Sequence, residues 1–125
     1  MTRPKTIFCD IDGTLWNHVG PVSHQMQVDN HIVLPNTLKA IDDWDKLGYK
    51  IILTTGRKES MRQKTEKHLE DLGIIYDQLV MGLGGGDRII INDRKLNGMQ
   101  NTCFAINVVR NKGIPHTDFT TKHVT

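Results

Sequence analysis

Asp10 and Asp12 stand two residues apart in Asp10-Ile11-Asp12-Gly13-Thr14, where a short β-branched run ends. Side chains two apart in a strand point to the same face, so the pair sets two carboxylates side by side at the carboxyl edge of a sheet. Left alone they repel, and either one takes up a proton or both need a cation. A second cluster, Thr54-Thr55-Gly56-Arg57, follows another apolar run. There a hydroxyl, an unhindered Gly N–H and the expected start of a helix coincide, donors of the kind that seat a phosphate. A third, Asn92-Asp93, follows the run 88–91 and brings another carboxylate to the same edge. Asp10, Asp12 and Asp93 are oxygen donors of the type Mg2+ takes, with water and a substrate phosphate filling its octahedron. Each cluster has a plainer reading beside this one. Asp-Gly is a common turn, an acidic strand end can simply be solvated, and a Thr before a helix can be an ordinary N-cap.

The elements needed to hold these residues are legible in the pattern. Residues 6–11 read as a buried parallel strand, 35–48 as a helix with Leu38, Ile41, Trp44 and Leu47 on one side, and 49–54 as a second strand. Residues 59–72 read as a second helix, burying Met61, Thr65, His68, Leu69 and Leu72 and pairing Arg62 with Glu66 and Lys67 with Asp71 outside. Residues 78–81, 88–91 and 103–108 are expected as further strands. Strands alternating with helices call for an α/β fold with a mostly parallel sheet and right-handed crossovers, and function then sits at the carboxyl ends of the strands. Residues 16–34, with Trp16, His18, His24 and His31, read as a flap over that edge, and His18 is its candidate for substrate contact. The Gly82–Gly86 run lacks the Gly-Lys-Thr/Ser of a Walker loop and reads as a flexible turn beside the site. The polar segment 109–125 reads as a tail or lid.

Composition sets the outer bounds. A chain of 125 residues with 38% hydrophobic residues fits one domain, 1–125, able to fold without a disulfide or metal staple. Its 16 Lys+Arg against 14 Asp+Glu give a formal charge of +2, too weak and mixed to announce a nucleic-acid or membrane surface. No run reaches the roughly 18 apolar residues of a membrane helix or resembles a secretory leader. Cys9 and Cys103 lie alone in apolar runs and read as buried free thiols in a reducing, cytoplasmic setting.

Taken together, Asp10-x-Asp12-Gly13-Thr14, Thr55 before Gly56-Arg57, and Asn92-Asp93 occur in the order of three motifs of the haloacid dehalogenase-like superfamily, and the chain resembles its phosphatases from about residue 6 to 108. The resemblance implies a Rossmann-like three-layer sandwich without a separate cap domain. It implies Asp10 as nucleophile, Asp12 as general acid and base, Thr55 holding phosphoryl oxygens, and Mg2+ on Asp10, Asp93 and the Asp12 carbonyl. Gly13, Thr14, Gly56 and Arg57 are then expected against the substrate. The family's Lys before the last motif is missing, and Arg88 is the cation in that interval. The chemistry is consistent with the residues: covalent capture splits the displacement in two, and Asp12 protonates the departing alkoxide. A small phosphorylated metabolite is the first expected substrate, with a homo-oligomer roofing the open site. The alternatives are a phosphatase acting on nucleic-acid ends, and a phospho-accepting or catalytically idle module.

Overall fold

The computed structural model describes residues 3–20, 31–95 and 97–115 of the chain. His24 of the flap and Thr117, Thr120, Thr121 and Thr125 of the tail lie outside the described residues.

Three strands form one parallel sheet in the order β1-β2-β3, with β1 at Thr6–Asp10, β2 at Lys50–Thr54 and β3 at Gln78–Val80. Helix α1, Thr37–Lys46, joins the first two strands. A 3-10 turn, Glu59–Met61, running into helix α2, Arg62–Asp71, joins the second and third. The register places Asp10 beside Thr54 and Thr54 beside Val80, so the three strands end level. In the central strand Ile51, Ile52 and Leu53 are all buried, which requires protein on both faces of the sheet. The fold is α/β, as the alternation of elements implied, and no cap domain is present among the described residues.

Helix α1 buries Thr37, Ala40, Ile41 and Trp44, while Leu38 and Leu47 face solvent. The apolar stripe is thus turned from the expected one: Ala40, a small residue with no polar atom, takes the place against the sheet that periodicity had given to the larger Leu38. Helix α2 buries Thr65 and Leu69 and carries the expected outer pairs, Arg62 with Glu66 at 3.2 Å and Lys67 with Asp71 at 3.4 Å.

Beyond β3 the structure departs from the expected pattern. Neither 88–91 nor 103–108 forms a strand. Ile89 is 84% and Ile91 94% exposed, and Cys103 is exposed rather than buried. The reason is pairing. A β-branched run becomes a strand only where a neighbouring edge takes its hydrogen bonds, and Arg88 instead folds back to donate from Nη1 to the carbonyls of Gly84 (2.8 Å) and Gly86 (2.9 Å). Composition cannot distinguish a run that finds such an edge from one that does not.

Candidate active site

The acidic loop is built around one carbonyl. After β1 the N–H groups of Thr14, Leu15 and Trp16 all converge on the Ile11 oxygen, at 3.1, 2.9 and 3.3 Å. This tight turn has Gly13 at φ +86°, in the left-handed region that a residue without Cβ enters freely. It buries Ile11, Leu15 and Trp16 completely and leaves Asp10 at the surface, with Asp12 facing inward.

The two carboxylates therefore have different surroundings. Asp12 is gripped. Its Oδ1 accepts from Trp16 Nε1 (2.7 Å) and Arg57 Nη2 (2.9 Å), and its Oδ2 accepts from Arg57 Nε (3.0 Å) and Thr55 Oγ1 (3.3 Å). The two-pronged guanidinium contact is the strong geometry for a carboxylate. Arg57 is 1% exposed. Its Nη1 donates to Thr65 Oγ1 (3.2 Å) and its carbon centre lies 5.0 Å from the Trp16 ring centroid. Arg57 was expected against the substrate, and the structure turns it instead into the protein to hold Asp12. A fully buried guanidinium needs a paired anion, and Asp12 supplies it.

Asp10 makes no such pair. Its carboxyl is pushed above the ordinary aspartate value, first by lost solvation and further by the Asp12 charge. The Ile11 N–H, Arg88 and His18 pull it the other way. Arg88 and His18 thus stand close enough for their charges to be felt at Asp10. Behind Asp10, burial pushes the Cys9 thiol up to about 12, so it stays protonated and unreactive.

Thr55 is buried, and its hydroxyl is shared within the loop, accepting from the Arg57 N–H at 3.1 Å while donating to Asp12. The Thr55 N–H donates to the Val80 carbonyl (3.0 Å) and its carbonyl accepts from Leu83 (3.2 Å), tying this loop to the start of the Gly run. Gly56 packs against the Leu83 carbonyl, 3.4 Å from where a Cβ would stand. Gly56 is exposed and Thr14 half-buried.

Asp93 does not join the pair. It is exposed, and its carbonyl accepts from Thr102 Oγ1. Among the described residues no group of three or more His, Cys, Asp or Glu side chains could hold a metal ion. Asp93 lies in a stretch where no strand forms, so the three carboxylates Asp10, Asp12 and Asp93 are not gathered into one cluster among the described residues.

Sequence reasoning missed the aromatic wall behind Asp12. His31 stacks on Trp16 with centroids 4.5 Å apart and planes 12° from parallel, and its Nε2 lies 3.0 Å from Arg57 Nη2. A guanidinium only donates, so Nε2 is the acceptor and the ring is neutral with its proton on Nδ1. Burial first, then the Arg57 charge, lowers its pKa to about 4, which agrees. His68 meets both rings edge-on, at 6.1 Å from Trp16 and 5.3 Å from His31. Trp16 four residues after Asp12 was a visible hint; the meeting of 12, 31, 57 and 68 was not.

With the geometry in place, comparison with known proteins is informative. Residues 4–88 match HAD_PNKP, the polynucleotide kinase PNKP phosphatase domain. The chain belongs to this family. It is therefore a haloacid dehalogenase-like phosphatase domain, and the matched region holds the Asp10–Asp12 loop, Thr55–Arg57 and Arg88. Two solved structures are similar. One, from the Pnkp1/Rnl/Hen1 RNA repair complex, is 34% identical with a TM-score of 0.55, over 62% of this chain and 25% of that one. The other, from a Pnkp1/Rnl/Hen1 complex, is 32% identical with a TM-score of 0.56, over 69% of this chain and 30% of that one. The chain thus spans less than a third of either solved chain. No curated protein sequence matches it.

Proposed function

We propose that this domain removes a terminal phosphate from a polynucleotide strand, with Asp10 as the nucleophile and Asp12 as the acid and base. The observation that carries the chemistry is the asymmetry of the two carboxylates: Asp12 is bound by Arg57, Trp16 and Thr55, while Asp10 stands at the surface at the end of β1. Family membership favours a polynucleotide over the small metabolite that the sequence first suggested. An Asp10 oxygen forms a bond to phosphorus as the bond to the leaving oxygen breaks, and that oxygen takes a proton from Asp12. Water, giving a proton back to Asp12, then attacks the acyl phosphate, releasing inorganic phosphate and restoring the Asp10 carboxylate. Asp12 is the anion of the Arg57 pair in this structure, so before it protonates the leaving oxygen its carboxylate must part from the guanidinium and take a proton from solvent, which makes Arg57 the residue that governs its position. Arg88 and His18 offset the negative charge that gathers at Asp10.

Magnesium dependence belongs to this reading through the family resemblance and the charge of the substrate. A reducing, cytoplasmic setting also belongs to it, supported by two free cysteines.

The deciding measurement is phosphate release from oligonucleotides phosphorylated at the 3′ or the 5′ end, with sugar phosphates as competitors and with Mg2+ or EDTA present. Turnover by the wild type with Mg2+, lost with EDTA and in Asp10→Asn, is expected. Undiminished turnover by Asp10→Asn removes the covalent mechanism, and turnover of sugar phosphates alone removes the polynucleotide.

A further inference from the structure

The segment 110–115 returns to the acidic loop and is fastened at both ends. At one end the Asn111 N–H donates to the Gly13 carbonyl (2.9 Å), and Asn111 Oδ1 accepts from the His18 N–H (2.7 Å). At the other, Ile114 enters the core and its N–H donates to the Pro35 carbonyl (3.3 Å), while its own carbonyl accepts from Asn36 Nδ2 (2.9 Å). Gly113, at φ +88°, lies so close under the Pro35 carbonyl that no side chain fits there.

This fastening fixes the position of Arg110. A Cβ built on Gly13 would meet Arg110 Cγ at 3.2 Å and Nε at 3.9 Å, so the arginine stem lies across the loop three residues from Asp10. The residue is exposed, and its guanidinium makes no hydrogen bond or ion pair with any described residue. Of the other two arginines at the site, Arg57 is committed to Asp12, and Arg88 spends its Nη1 on the carbonyls of Gly84 and Gly86. Arg110 presents a whole guanidinium, unspent among the described residues, over the Gly13 end of the acidic loop.

We infer that Arg110 is a substrate-specificity residue that holds the phosphodiester adjoining the terminal phosphate of a polynucleotide end. The inference rests on the proposed function and extends it. A guanidinium suits phosphate oxygens in a fork, and contacts of this kind set the register of a nucleic acid without reading its bases. A simple monoester brings a single phosphate, which Asp10 and its neighbours take up. A polynucleotide always carries another one nucleotide along, and Arg110 stands beside the centre, on the Gly13 side, where that second phosphate needs a partner.

The test compares wild type, Arg110→Ala and Arg110→Gln on a terminally phosphorylated oligonucleotide and on p-nitrophenyl phosphate. Gln keeps a stem over Gly13 and removes the charge, so it guards against a folding defect in the Ala variant. The kcat/KM ratio of oligonucleotide over aryl ester is expected to fall by about 10- to 100-fold, mainly through KM, the scale of one lost charge-assisted hydrogen bond. Arg110→Lys is expected to recover part of it. The dependence of log kcat/KM on log salt should lose about one unit of slope. Oligonucleotide binding to the Asp10→Asn protein, read by fluorescence anisotropy, should weaken in parallel when Arg110→Gln is added. An unchanged ratio, whether both substrates suffer equally or neither does, overturns the inference while wild-type turnover of the oligonucleotide leaves the proposed function standing. A wild type that cleaves only the aryl ester overturns both.

Discussion

Asp12 and Arg57, 45 positions apart in the chain, form a buried pair that neither residue could make with water. Removing one partner of such a pair strands the other charge, at a cost of roughly 3–5 kcal/mol. Urea titration should therefore show Arg57→Ala strongly destabilised, and Arg57→Lys intermediate because an ammonium keeps the charge but loses the fork. In a cycle with Asp12→Asn the two losses should fall short of adding by about 1–3 kcal/mol; strict additivity would mean that the pair does not act as a unit. Asp10 behaves in the opposite sense. Its folded pKa lies above 3.8, so the stability that its protonated form contributes is present at low pH and lost as pH rises through the folded value. Asp10→Asn should then melt higher than wild type at pH 7, with the gap closing below about pH 4.

At the scale of elements, the site depends on three strands ending level and on the loops that leave them. Asp10, Thr54 and Val80 share a register, and the bond from the Thr55 N–H to the Val80 carbonyl joins the second loop to the third strand. Segments that bury little apolar area and lack a ladder open at low cost. Hydrogen exchange is therefore expected to be slowest in β2, whose Ile51 to Leu53 are all buried, and fast over residues 86–95 and 97–109. Ile114 and its neighbours should be protected relative to 103–108, because that stretch is tied to Pro35 and Asn36. Slow exchange throughout 88–91 would mean that those amides are paired to a strand edge after all.

The whole molecule carries a pH window of its own. His31 is buried and neutral in the fold, with its pKa lowered from 6.5 to about 4. The unfolded chain binds that proton first, so the stability contributed by His31 is complete above pH 6.5 and is lost as pH falls toward 4. The loss is about 3 kcal/mol at most, at 1.36 kcal/mol per unit. Urea midpoints measured from pH 7 to 4 should drop for wild type and drop less for His31→Phe, which keeps a ring against Trp16 without a titrating nitrogen. Parallel curves for the two proteins would place the acid sensitivity elsewhere.

The sequence alone determined the alternation of strand and helix through α2, the parallel sheet, and the placing of Asp10 and Thr55 at its carboxyl edge. Each of these follows from local pattern: the β-branched run of β1 ending in an acidic, Gly-containing turn, the apolar run of β2, and the helical spacing of α1 and α2. Tertiary structure decided which arginine meets which carboxylate. Arg57 reads in sequence as a residue facing substrate and is in fact the buried partner of Asp12, while Arg110, an unremarked residue of the tail, lies across the Asp10–Gly13 loop. It also decided that 88–91 has no neighbouring edge, so that Asp93 stays apart from the pair it was expected to join. Such contacts join residues tens of positions apart, and they depend on how the whole chain closes rather than on any local preference.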